Sequence, residues 1–232
     1  MPFQNKSIID VKQCCFSVLE HDKDLSILKN LSCSIQNKSI TLVKGRSGSG
    51  KTTFLNCLSG LLVPQKGSIT IKGVDLCCLS VNQRANFRLN YMGIVFQSFN
   101  FLASLSLKEN IILPALLAKK QAKDYIEILI EYSEKFKLNK LLDSMPSQVS
   151  GGELQRAAFL RGLINKPDII FADEPSGNLD SANRDIIFDV MKDIANTTQT
   201  SIVFTSHDSA AATIADTILT LEDGAFLRAN AT

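Results

Sequence analysis

Gly45-Arg46-Ser47-Gly48-Ser49-Gly50-Lys51-Thr52 is the stretch whose reading decides the fold. Counted from Gly45 it runs G-x-x-x-x-G-K-T, the spacing of a phosphate-binding loop. Glycines allow positive φ and close backbone approach, so successive N–H groups turn inward toward phosphate oxygens. Lys51 supplies a mobile cation for the outer phosphates. Thr52 presents a hydroxyl to a magnesium ion bridging those phosphates, and the helix that starts there adds the positive end of its dipole. The flanks agree. Ser39–Val43 is a short β-branched apolar run that predicts a strand, and the run from Thr53 predicts a helix ending at Gly60. A Gly/Ser-rich linker would not set Lys-Thr between a strand and a helix.

The chain has 232 residues, enough for one large domain with an inserted lobe but not for two full ones. Its formal net charge is +2 and the basic residues are scattered, which leaves no footprint for nucleic acid. The six cysteines are Cys14, Cys15, Cys33, Cys57, Cys77 and Cys78. They lack C-x-x-C spacing, so zinc and a disulfide framework are both disfavoured, and reduced, mostly buried thiols are expected. Met1 to Asp10 is too polar for a signal peptide, and no run reaches the about 18 apolar residues of a membrane span. Any membrane role is therefore expected to pass through a partner.

Val11–Leu19 and Leu25–Ile35, separated by a charged turn containing His21, predict a hairpin. Phe16 on its first arm is a candidate to stack on an adenine ring, or else an ordinary core side chain. A turn at Pro64–Gly67 leads into the alternating run Ser68–Gly73, a further hairpin strand. Tyr91–Phe96 predicts a buried strand that delivers Gln97 to the crevice where strand carboxyl ends converge. Ser98–Ser147, bounded by Pro146, reads as a mainly helical insertion, with Tyr125, Ile128, Leu129, Tyr132 and Phe136 at helical spacing as its core.

Ser150 has Glu153 three residues on, a capping-box spacing, and Gly151 and Gly152 expose the first N–H groups of the helix that follows. Either a plain capped helix or a second anion site fits that pattern. Asp168–Ala172 predicts a strand closed by Asp173 and Glu174, and two carboxylates at the end of an uncharged buried strand point to separate metal-holding and water-orienting roles. Asn165-Lys166-Pro167-Asp168 imitates the guanine-reading N-K-x-D motif, but it precedes a strand and so reads as a turn. Thr200–Ser206 predicts another buried strand, with His207 at the same crevice edge. Ile218–Leu221, Gly224 and Phe226 predict a final short hairpin.

Taken together, the phosphate loop, Gln97, Val149-Ser150-Gly151-Gly152-Glu153, Asp173-Glu174, Ser176–Asp180 and His207 resemble the nucleotide-binding subunit of ATP-binding cassette (ABC) transporters, in order and spacing across nearly the whole chain. Gly93–Gln97, Glu109-Asn110, Leu113-Pro114 and Asp173–Asp180 are similar to the branch of lipoprotein-release, macrolide-export and cell-division ATPases. Val149, Ser176, Lys44 and Phe16 depart from the usual family residues, and none of these removes a catalytic group.

The resemblance implies an α/β phosphate-loop ATPase core with a mainly parallel sheet, an N-terminal antiparallel β subdomain and an inserted helical subdomain at about 98–160, forming one domain over 5–230. It implies ATP and Mg2+ as cofactors, with ATP bound by Gly45, Arg46, Ser47, Gly48, Ser49, Gly50, Lys51, Thr52 and Thr53, by Gln97 and by Phe16. Thr52, Gln97 and Asp173 would hold the metal, and Lys51, Glu174 and His207 would carry catalysis. Ser150, Gly151, Gly152 and Glu153 would meet the ATP of a second copy in a head-to-tail homodimer, with Asn178, Leu179 and Asp180 at the dimer contact. The expected role is the motor of a membrane permease, on the cytoplasmic face of the cell membrane. The alternative is a soluble cassette ATPase acting on DNA or ribosomes. Phe99, Phe101, Leu102 and Leu105, close behind Gln97, form an apolar cluster that is either a docking surface for the permease or packing for the helical lobe.

Overall fold

The computed structural model describes residues 7–20, 23–177 and 179–227. His21 and Asn178 lie outside them. Two long strands, β1 (Ser7–Glu20) and β2 (Lys23–Gln36), form the hairpin expected near the N-terminus. Both run further than their apolar stretches, because the pairing carries polar residues along with it. The strands β4 (Lys66–Ile71) and β5 (Val74–Asp75) complete a four-stranded sheet in the order β2-β1-β4-β5, with antiparallel neighbours throughout.

The second sheet holds β3 (Ile40–Lys44), β6 (Met92–Val95), β7 (Ile169–Ala172), β8 (Ser201–Ser206), β9 (Thr217–Glu222) and β10 (Ala225–Phe226). Its order is β10-β9-β3-β8-β7-β6, parallel except for the terminal β9/β10 pair. Parallel strands need both faces covered, and their near-continuous apolar runs reflect that. Alternation along each strand divides the covering into two cores. Ile40, Leu42, Ile170, Ala172, Ile202 and Phe204 face one core, and Val43, Ile169, Phe171 and Val203 face the other.

The second of these cores lies under helix α1 (Lys51–Leu58), whose Phe54, Leu55 and Leu58 pack with Val11, Ile69 and Ile71 of the antiparallel sheet. The first is covered by α3 (Leu107–Leu117), α4 (Ala122–Lys135), α5 (Gly151–Leu163) and α6 (Ser181–Thr197). Tyr125, Ile128, Leu129, Tyr132 and Phe136 are all buried there, as their spacing predicts. Among the described residues no helix is long and apolar enough to cross a membrane.

Two readings need correction. Tyr91 does not open a strand; it closes α2 (Val81–Tyr91), a helix that buries none of its residues and therefore shows no apolar stripe. Nor are the cysteines mostly buried, although all six are free. Only Cys14 and Cys57 are buried, while Cys15, Cys33 and Cys77 are partly exposed and Cys78 is open. Strand alternation sends Cys15 to the face opposite Cys14. Burial pushes the Cys33 thiol up to about 12, and the hydrogen bond that the Cys57 thiol donates to Cys14, together with burial, raises that of Cys57, so both stay protonated at neutral pH.

Candidate functional site

The phosphate loop leaves β3 at Lys44 and enters α1 at Lys51. Gly45 is packed so closely that a Cβ there would meet the Leu221 carbonyl oxygen at 2.3 Å and Ser49 Oγ at 2.6 Å. Gly50, at φ 100°, caps α1 with no side chain, so the helix's positive end is left to the loop interior. Lys51 is 8% exposed, and its Nζ donates to the carbonyls of Gly45 and Arg46, both at 3.0 Å. That uses two of its three donors. Ser49 Oγ is buried and has no partner, an orphan acceptor and donor inside a cradle built for anions.

At the carboxyl end of β7, Glu174 adopts φ 48°, a left-handed conformation costing about 1–3 kcal/mol outside glycine. Thr205 on β8 holds it there, because its buried Oγ1 accepts from the Glu174 N–H at 2.8 Å and donates to Asp173 Oδ1 at 2.7 Å. One hydroxyl thus sends adjacent carboxylates in different directions. The Asp173 N–H donates to the Val95 carbonyl on the neighbouring β6. His207, one residue beyond β8, sets Nδ1 2.9 Å from Glu174 Oε2.

Lys51, Thr52, Thr53, Ser47, Gly48, Gly50, Gln97, Glu174, Gly177 and His207 line one cavity of about 680 Å³, closed on the sheet side by Ile27 of β2. Thr52, Gln97 and Asp173 share the wall of an adjoining cavity of about 570 Å³. A hydroxyl, an amide oxygen and a carboxylate form a set of hard oxygen donors suited to a divalent cation such as Mg2+. Phe16 lines neither; it is partly buried against the core beneath the antiparallel sheet.

Ser150 to Glu153 lie apart from both cavities. Ser150 caps α5, accepting from the Glu153 N–H at 3.3 Å, while Glu153 Oε2 accepts from the Ser150 N–H at 2.7 Å and from Ser150 Oγ at 2.8 Å. These bonds from Ser150 hold the Glu153 carboxyl below the usual carboxylate range. The turn that follows Glu174 runs through Leu179 to Asp180, whose side chain caps α6 by accepting from the Asn183 N–H at 2.8 Å.

The apolar cluster behind Gln97 divides. Phe99 and Phe101 pack against the helical core, and the Arg161 guanidinium stacks 4.7 Å from the Phe101 ring centroid. Arg161 also donates to the carbonyls of Asn100, at 2.8 Å, and Phe99. Leu102 alone of the four is exposed, at 49%. Asn110, 1% exposed, pins the same loop by accepting from the Leu102 N–H and donating to the carbonyls of Leu102, Leu105 and Ser106. Asn165 of the false guanine motif sits in a turn, where its amide donates to the carbonyls of Leu89 and Pro114. Thr205, Arg161 and Asn183 are the residues that sequence reasoning missed, and Asn110 entered it only as part of the family likeness, without its role in the loop. Each acts on a partner remote in sequence or on backbone, which no local pattern announces.

Residues 28–177 match the family model described as ABC transporter. The lipoprotein-releasing system ATP-binding protein LolD of Buchnera aphidicola subsp. Acyrthosiphon pisum is 38% identical over 192 residues, covering 83% of this chain and 84% of that protein. The macrolide export ATP-binding/permease protein MacB of Rhodopirellula baltica is 36% identical over 205 residues, 88% of this chain but 30% of that longer protein. Among solved structures, the dimeric bacterial ABC transporter cassette MJ0796 aligns with a TM-score of 0.90 at 29% identity, covering 95% of this chain and 97% of its own. A dimeric post-hydrolysis state of the same cassette, bound to ADP and Pi, aligns at 0.89. By that family match over most of its length and by these relatives, the chain belongs to the ABC transporter family as an ATP-binding cassette.

Proposed function

We propose that this cassette is the ATP-hydrolysing motor of a transporter or envelope export complex of the lipoprotein-release and macrolide-export kind, working as a head-to-tail homodimer against a separate membrane permease. The observation that carries the reading is a division of labour. Lys51, Glu174 and His207 converge on one cavity, whereas the capped end at Ser150–Glu153 contributes nothing to it. Two anion-binding helix ends in one chain are redundant for one phosphate group unless each faces the nucleotide of the other copy.

In this site the loop amides and Lys51 hold the phosphates of ATP, with the lysine's remaining donor free for the outer ones. Thr52, Gln97 and Asp173 would hold Mg2+, which when bound neutralises charge on the phosphate oxygens. Glu174 orients the attacking water and draws on its proton, and His207, steadied through Nδ1, faces the outer phosphate. Ser150, Gly151 and Gly152 of the second copy close the site, with Glu153 holding the cap and Asn178, Leu179 and Asp180 at the contact between copies. Phe16, on the inner strand β1 of the antiparallel sheet, is the ring proposed for the adenine.

The permease would hold the motor at the cytoplasmic face of the cell membrane, with Leu102 as its exposed apolar contact. Nucleic acid has no place in this account. The test is turnover in Glu174→Gln, expected to keep ATP binding and lose hydrolysis; a variant with wild-type turnover refutes the assignment.

A further inference from the structure

The second glycine of the capped α5 end lies against α6. A Cβ on Gly152 would meet Asn183 Nδ2 at 3.2 Å and Leu179 Cδ2 at 3.5 Å. The Asn183 side chain therefore fills the space between the Ser150–Glu153 cap and the turn that ends at Asp180. Both ends of its amide are engaged there. Asn183 Oδ1 accepts from Arg156 Nη1 of α5, and Nδ2 donates to Asp180 Oδ2 at 3.0 Å. Arg156, 6% exposed, is anchored in turn by its Nε, which donates to the Phe136 carbonyl at 2.8 Å. A buried guanidinium and a carboxylate are thus joined through one neutral amide that both need.

We propose that Asn183 is a positioning residue that makes the Ser150–Gly152 helix end and the Leu179–Asp180 turn a single rigid unit, so that both approach the second copy's nucleotide together. The inference rests on the composite-site reading above. Neither segment touches this copy's own phosphate cavity, so a defect at Asn183 should spare nucleotide binding by the monomer and weaken the steps that need two copies. The amide is not replaceable by charge. Asp in its place keeps an acceptor for Arg156 but sets a second carboxylate against Asp180, where the amide now donates.

The test uses Asn183→Ala and the near-isosteric Asn183→Asp in the full chain, with Glu174→Gln as the background for dimer measurements. Both variants are expected to lower kcat roughly tenfold, the usual scale for a broken buried hydrogen-bond link, while KM for ATP stays within about twofold. In sedimentation with ATP and Mg2+, the protein concentration for half-dimerisation should rise roughly tenfold over Glu174→Gln alone. Asn183→Asp is expected to melt near the parent, since acidic residues suit a helix's first turn, so its loss is not a folding defect. If the Glu174→Gln parent dimerises and the Asn183 variants match it, the inference is overturned. An activity loss that tracks the fall in melting temperature, with dimerisation of the folded fraction unchanged, overturns it too. A parent that never dimerises overturns the composite-site reading itself.

Discussion

His207 Nδ1 stands 2.9 Å from Glu174 Oε2, pairing a side chain 72% exposed with one only 13% exposed. The carboxylate is the enclosed member, held through its own backbone by Thr205, and the imidazole is the exposed one. They are expected to act as one unit on the water and the outer phosphate.

Glu174→Gln should therefore lower kcat roughly 10²–10⁴-fold, the scale of general-base loss, and His207→Ala should do less. Because the pair acts jointly, the double variant should be no slower than Glu174→Gln alone. Steady-state rates for the four proteins check this, and multiplicative losses would mean the two residues work independently.

Thr205→Val removes the hydroxyl that holds the Glu174 N–H and Asp173 Oδ1 in place without changing side-chain shape. It leaves a buried N–H unpaired at a strained residue, worth about 1–3 kcal/mol. Turnover is expected to fall at least tenfold with ATP affinity nearly unchanged. Isothermal titration beside an ATPase assay separates the two quantities.

Much of this site was legible because it is written in local spacing. Gly45 to Thr52 spell a motif, and β3, β7 and β8 are short apolar runs ending where chemistry begins. The order of the strands in the sheet came only with the structure, since β3 pairs with β8 and β9 across more than 150 residues. Thr205 and Asn183 were illegible for a related reason. A threonine in a β-branched strand and an asparagine in a helix's first turn look ordinary until the third dimension brings Glu174, Arg156 and Gly152 to them. Helix α2 gave no signal because none of its residues is fully buried.

The cap at Ser150 carries a pH signature. Its bonds depress the Glu153 pKa, so its contribution is fully present above the usual carboxylate value and is lost as pH falls through the folded value. Glu153→Gln keeps a capping acceptor that does not titrate. Wild type should melt above the variant near neutral pH, and the gap should close on acidification. A gap constant with pH, followed by calorimetry, would show that the carboxylate adds no charge-dependent stability.

Leu102 and Phe101 should now behave differently. Leu102→Asp alters an exposed side chain and is expected to change stability by less than about 0.5 kcal/mol while releasing the subunit from membranes that hold its permease. Phe101→Ala strips the ring beneath Arg161 and should destabilise by about 1–3 kcal/mol. Membrane flotation beside thermal melts distinguishes them; Leu102→Asp that still floats with membranes places the docking contact elsewhere.

The most direct test of the composite site is ATP hydrolysis by an equal mixture of Lys51→Ala and Ser150→Arg subunits. Each variant alone has both of its sites broken, one through the phosphate loop and the other through the opposing helix end. In a head-to-tail mixed dimer both defects fall in one site and the other is intact. With half the dimers mixed, the account expects roughly a quarter of wild-type activity. Ser150→Arg hydrolysing alone at the wild-type rate, or a mixture no more active than its two components, would contradict it.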